Sequence, residues 1–165
     1  MAERPLIIGL GNELRGDDGA GLMVAELLAG HGLDVVRCDG EPVSLLELWR
    51  GFESVVIIDA VSGAQPGRTW RLHADAEELP VIFAGQTSTH LLGLAEVIEL
   101  ARTLGRLPAR LSLIGIEGNR FSLGTKPSLA VEGAVVDLAA ALLAEADDGW
   151  PEPNATDRRP SGARC

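Results

Sequence analysis

Short runs of apolar residues that stop at a glycine or an aspartate constrain this chain more than any other feature. Leu6-Ile7-Ile8-Gly9-Leu10 closes at Gly11-Asn12, and Ser54-Val55-Val56-Ile57-Ile58 closes at Asp59. A strand with one face in water alternates apolar and polar residues. A continuous run belongs to a strand covered on both faces, as in a parallel sheet. Leu33-Asp34-Val35-Val36-Arg37-Cys38, between these two in the chain, reads as the second strand, ending at Asp39-Gly40. Between them lie segments of helical period. Leu22, Val24, Ala25, Leu27 and Leu28 precede His31-Gly32, and Pro42, suited to a first helical turn, precedes Leu45, Leu48, Trp49 and Phe52.

Further along, Gln65-Pro66-Gly67 reads as a turn, and Arg68 to His73 alternates, with Trp70 and Leu72 on one side. That pattern suits a half-exposed, antiparallel edge strand. After an irregular stretch from Asp75 to Thr87, Ser88 and Thr89 can cap a helix carrying Leu91, Leu94, Ala95, Ile98 and Ala101. Leu111 to Ile116 is a strand, and Ser128 to Ala146 a long helix. Residues 147–165 carry Pro, Ser, Arg and Gly without periodicity and read as a disordered tail, which leaves one domain over 1–146. Alternating strands and helices predict a three-layer α/β fold, a mostly parallel twisted sheet with helices on both faces and one antiparallel edge strand. With the first strand between the second and third, a topological switch point opens beside it. Ligands of open α/β sheets bind outside the strand carboxyl ends at such a point.

Composition narrows the function classes. The formal net charge of −10 argues against nucleic acid and against an anionic membrane surface, both of which need an excess of Lys and Arg. Aromatics are 4% of the chain and Tyr is absent, so the core must be aliphatic. Two cysteines, Cys38 and Cys165, do not make a disulfide framework, and Cys38 reads as a core residue. The first residues fit no secretory signal, and no apolar stretch approaches the ~18 residues of a membrane helix. A cytoplasmic monomer is the expectation.

Three residues fall on the predicted binding rim: Asp18 in the loop after the first strand, Asp59 closing the third, and His90 at a helix start. Two carboxylates and an imidazole suit a divalent transition metal with open positions for substrate or water. Each has a plainer reading. Asp17 or Asp18 can be a helix N-cap, Asp59 a turn residue, His90 a structural histidine. Among rival chemistries, a dinucleotide site starts well at Gly9-Leu10-Gly11 with Asp39 after the second strand. It lacks the third glycine, because Leu14 stands there, and Asp17 and Asp18 would repel a pyrophosphate. Neither a Gly-x-Ser-x-Gly elbow nor a His-Glu-x-x-His helix occurs.

Gly9-Leu10-Gly11-Asn12-Glu13-Leu14-Arg15-Gly16-Asp17-Asp18-Gly19-Ala20-Gly21 resembles the opening signature of the nickel–iron hydrogenase maturation endopeptidases. Ile57-Ile58-Asp59-Ala60-Val61 resembles that family's second motif and Thr89-His90-Leu91-Leu92-Gly93-Leu94 its third, in the same order and over roughly residues 6 to 145. The resemblance implies removal of a short C-terminal extension from the hydrogenase large-subunit precursor once nickel has been inserted. It implies Asp18, Asp59 and His90 as the metal-sensing and catalytic set, with nickel carried by the substrate. It also implies that Asp39-Gly40-Glu41 bears on substrate choice, although Asp39-Gly40-Glu41-Pro42 departs here from the family's usual Asp-Gly-Gly-Thr. Gly115-Ile116-Glu117-Gly118 likewise departs from a common ending in Pro. Two alternatives stay open: a non-catalytic nickel-binding maturation chaperone, and a nucleotide-binding Rossmann-like module.

Overall fold

A computed structural model describes residues 4–39, 41–75, 89–148 and 163–164, with the side chains of 89–92 and 163–164 excepted. The strands are β1 (Leu6–Leu10), β2 (Asp34–Cys38), β3 (Ser54–Ser62), β4 (Thr69–His73), β5 (Arg110–Gly118) and β6 (Ala163–Arg164). The helices are α1 (Ala20–Leu28), α2 (Leu45–Leu48), α3 (Thr89–Thr103) and α4 (Leu129–Asp148), and 3-10 turns at Gly16–Gly19 and Pro42–Ser44 precede the first two.

The sheet order is β4-β5-β3-β1-β2-β6. Every pairing is parallel except β4 on β5, so the expected architecture and its antiparallel edge are present. The first strand lies between the second and third, as the switch-point argument requires. Strand alternation divides the core into two layers. Leu6, Ile8 and Leu10 of β1, Val55, Ile57 and Val61 of β3, and Leu111 and Leu113 of β5 face one layer, which is closed by Leu45, Leu48 and Trp49 from α2 and its end and by Leu94, Val97, Ile98 and Ala101 of α3. Ile7, Val56, Ile58, Ala60, Ile114 and Ile116 face the other, closed by Ala20, Val24, Ala25 and Leu28 of α1 and by Val131, Val135, Ala139 and Leu142 of α4. Both faces are covered by helices, which is why these strands read as continuous apolar runs.

At one place helix and sheet touch backbone to backbone. A Cβ on Gly9 of β1 would collide with the carbonyl of Gly21 in α1, and a Cβ on Gly21 would collide with the carbonyls of Ile58 and Leu10. Only two facing glycines let α1 lie this close to the centre of the sheet.

Several expectations need correction. β3 does not stop at Asp59 but continues to Ser62, because β5 pairs with it through Ser62↔Gly118. Its β1 partner ends earlier, at Gly9↔Ile58, so Asp59 is the first β3 residue beyond that pairing. The segment after Pro42 is a 3-10 turn and four helical residues rather than a full helix, ended by the turn at Gly51, whose φ is +84°. It still buries Leu45, Leu48 and Trp49. The last helix runs to Asp148, past the expected end at Ala146. Two residues of the stretch read as a disordered tail, Ala163 and Arg164, pair with Val36 and Arg37 at the sheet edge. Cys38 is fully buried, as expected, but it is disulfide-bonded rather than a plain core thiol. Ser88 and residues 149–162 lie outside the described residues.

Candidate active site

Four acids are buried among the described residues, and all sit towards the carboxyl ends of β1, β3 and β5: Asp17, Asp18, Asp59 and Glu117. Their environments differ sharply.

Asp59 occupies a core position. It shares a strand face with Ile57 and Val61, so the sheet points its side chain into an apolar layer. Oδ1 accepts the Ala60 N–H at 2.8 Å, and Oδ2 has no hydrogen-bond partner among the described residues. A cavity of ≈ 10 Å³ lined by Ile57, Val61, Leu94, Leu113 and Gly115 abuts it, barely the room of one water. Burial pushes the Asp59 pKa well above the usual carboxylate value, and the nearby Asp18 charge pushes it further. The single Ala60 N–H offsets little of this.

Asp18 reaches the same crevice from the other strand. It is buried in the 3-10 turn after β1, which is held back onto its own loop where Asn12 N–H donates to the Asp18 carbonyl at 3.2 Å. The two carboxylates, far apart in sequence, are therefore electrostatically coupled at the switch point.

Asp17, one residue earlier, turns the opposite way. Its Oδ2 accepts N–H bonds from Asn119 at 2.9 Å and Arg120 at 3.0 Å, and its Oδ1 accepts from Ser128 at 2.7 Å. Burial alone would raise its pKa. The backbone donors of Ser128, Asn119 and Arg120 and the Ser128 hydroxyl outweigh that and hold it below the usual value. Neither Asp17 nor Asp18 caps a helix with its side chain: Gly19 stands at the N-cap of α1 and Arg15 at that of the 3-10 turn.

Glu117 was missed by sequence reasoning as a buried residue. Its Oε1 accepts the Trp70 indole N–H at 2.7 Å and its Oε2 the Gln65 N–H at 3.0 Å, tying the β3–β4 turn to β5. Arg68 stacks on Trp70 at 3.9 Å from the ring centroid. A lone Glu inside an apolar strand, with a Trp on the neighbouring edge strand, was the available signal.

His90 is the second residue of α3, as expected at a helix start. It precedes Leu94, which lines the Asp59 cavity, by one helical turn. Its side chain lies outside the described atoms. Asp39 and Glu41 are exposed beyond the carboxyl end of β2, and Gly40 lies outside the described residues. Among the described residues no three His, Cys, Asp or Glu side chains gather in metal-binding range. The donor chemistry at Asp59 nevertheless suits a cation: a carboxylate oxygen without a donor, beside a second carboxylate, is stabilised most by a positive ion.

The sequence profile of the family described as hydrogenase maturation protease matches residues 33–145. The hydrogenase 2 maturation protease of Escherichia coli is 30% identical over 148 residues, covering 84% of this chain and 90% of that one. A hydrogenase expression/formation protein from Rhodobacter capsulatus is 32% identical over 86% of this chain and 72% of its own length. Among solved structures, the hydrogenase maturating endopeptidase HybD from E. coli superposes with a TM-score of 0.72 at 27% identity, covering 88% of this chain and 93% of that one. The [NiFe] hydrogenase maturation protease HybD from Thermococcus kodakarensis superposes with a TM-score of 0.67 at 31% identity, covering 88% and 98%.

Proposed function

Because this chain belongs to the hydrogenase maturation protease family, and so is an endopeptidase, we propose that it removes a short C-terminal extension from the large-subunit precursor of a nickel–iron hydrogenase after nickel has been loaded. In this reading nickel belongs to the substrate, and Asp18, Asp59 and His90 are the ligands that test for it. The observation that carries the reading is the Asp59 carboxylate, held in a core slot with one amide donor and a second carboxylate nearby. A fold tolerates such a group where function requires it.

The chemistry follows from that environment. Without a cation, burial and the nearby Asp18 charge both disfavour the ionised form of Asp59. A divalent ion presented by the precursor favours the ionised carboxylates and takes them as ligands. Unloaded precursor cannot make this bond, so selection rests on contacts that only the loaded substrate offers. Nickel polarises the scissile carbonyl or a bound water, and a carboxylate oxygen not engaged by the metal accepts the proton of the attacking water. Asp39 and Glu41 are exposed beyond β2, and together with Gly40 they contribute to the choice of hydrogenase. The enzyme works as a cytoplasmic monomer with no nucleic-acid or membrane partner. No helix of the described residues is long and apolar enough to cross a membrane.

The test is to mix the protein with nickel-loaded and nickel-free precursor and weigh the products by mass spectrometry. A discrete C-terminal loss from the loaded precursor alone is the expected result. Binding of the loaded precursor without any shortened product would replace the protease with a nickel-sensing chaperone.

A further inference from the structure

The three most exposed large apolar side chains of the described residues are Leu14, Leu123 and Leu129, at 64%, 75% and 85%, against 58% for Val136, the next. Leu14 lies on the loop after β1, Leu123 on the loop that joins β5 to α4, and Leu129 at the first residue of α4. Exposed leucines on loops ordinarily cost nothing to replace. These loops, however, are bound into one body. Asp17 accepts the amides of Asn119, Arg120 and Ser128, and its own N–H donates to the Arg120 carbonyl at 2.8 Å. Arg15 Nε donates to the Phe121 carbonyl at 2.9 Å, and Gly124 N–H donates to the Leu14 carbonyl at 2.7 Å, which sets Leu14 beside the loop that carries Leu123. Leu129 follows directly on Ser128, whose amide Asp17 holds.

The loop between β5 and α4 differs in charge from the rest of the molecule, while the loop after β1 carries Glu13, Arg15, Asp17 and Asp18, with Glu13 paired to Arg37 and both aspartates buried. The chain is −10 overall, yet residues 119–128 contain Arg120 and Lys126 and no acid. Both side chains are exposed, and neither makes an ion pair among the described residues. Asp17, which fastens the shelf, is the immediate sequence neighbour of Asp18.

We infer that this two-loop shelf is the surface on which the hydrogenase large-subunit precursor docks, through an apolar, acid-bearing patch of the precursor beside its scissile bond. The inference rests on the proposed function and adds to it the contact that places the precursor. An apolar surface rigid before binding loses little entropy when covered, and two cations at its edge steer an acidic partner to it. The nickel contact then reports whether the docked precursor is loaded, while the shelf reports that a precursor is present.

The test compares wild type with Leu14→Ser/Leu123→Ser/Leu129→Ser, with Arg120→Glu, and with Leu100→Ser/Leu104→Ser, at the end of α3 and just past it, as a control. Cleavage of nickel-loaded precursor and its binding to immobilised enzyme are both read, with thermal melts to verify folding. The triple variant is expected to raise KM and the binding Kd by about tenfold with kcat unchanged, as for loss of an interface anchor. Arg120→Glu is expected to raise KM by about threefold and to flatten the salt dependence of association. The control should match wild type. Unchanged KM and Kd in the folded triple variant overturn the inference, as does an equal loss in the control. A wild-type dimer in light scattering that the triple variant abolishes overturns it too, by assigning the shelf to a second copy of the chain. Wild type that binds loaded precursor through the shelf but cuts nothing would keep the shelf and remove the protease reading. Wild type that binds no precursor removes both.

Discussion

Asp17 and Asp59 are buried carboxylates within one rim, and the fold treats them in opposite ways. Asp17 receives three backbone amides and stays ionised at low cost. Asp59 receives one amide, faces an apolar layer and a second carboxylate, and is pushed towards its protonated form. The first arrangement is how a protein uses a buried charge to build. The second is how it keeps a charge unsatisfied so that something else can satisfy it. The difference is what the proposed function assigns to scaffold on one side and to chemistry on the other.

Substitution should separate them further. Asp59→Asn is expected to reduce cleavage of loaded precursor by about a thousandfold, the several kcal/mol a metal-bound group supplies at the reacting centre. The same change should raise unfolding stability at neutral pH by about 1–2 kcal/mol, because an amide is cheaper to bury there than a carboxylate. Urea melts and product mass spectra together decide it; a variant that loses both stability and activity would make Asp59 structural.

Asp17→Ala should do the reverse, lowering stability by about 3–5 kcal/mol because three buried amides lose their acceptor at once. The pH dependence of these variants sharpens the contrast. The lowered pKa of Asp17 gives stability that is present above the ordinary value of 3.8 and lost as pH falls through its folded pKa. The raised pKa of Asp59 gives the opposite limb, favourable below 3.8 and lost as pH rises through its folded pKa. Unfolding curves from acid to neutral pH should therefore lose the acid limb in Asp17→Asn and flatten on the high side in Asp59→Asn.

Smaller effects are expected at the glycine contact and at Glu117. Gly21→Ala drives a methyl group into two backbone carbonyls and should cost about 2–3 kcal/mol, read as a lower urea midpoint. Glu117→Gln keeps an acceptor for Trp70 and should cost only about 1 kcal/mol, with cleavage unchanged. Lost cleavage in that variant would move Glu117 into the site.

What could be read from the chain alone depended on how local the cause was. The apolar runs of β1 and β3 announced buried parallel strands because both helical layers are built from the segments between and after them. Asp59 stood out because a charge follows four apolar residues directly. The extent of β3 past Asp59 could not be read, since it depends on pairing with β5 more than fifty residues later. Asp17 looked like a helix cap for the same reason: its true partners, Asn119, Arg120 and Ser128, are about a hundred residues away. Glu117 looked unremarkable until the edge strand brought Trp70 to it. The short α2 reflects a turn at Gly51 that overrides an apolar spacing suited to a longer helix.

The facing glycines of β1 and α1 bear on how such an enzyme can change over generations. Where backbone meets backbone, nothing is left to trim or enlarge, so the span between the Asp18 turn and the Asp59 strand is closed to gradual adjustment by side-chain exchange. The separation of those carboxylates is inherited whole or lost. Change at this site is therefore left to the loops that ring the crevice, above a carboxylate spacing that the backbone contact holds fixed.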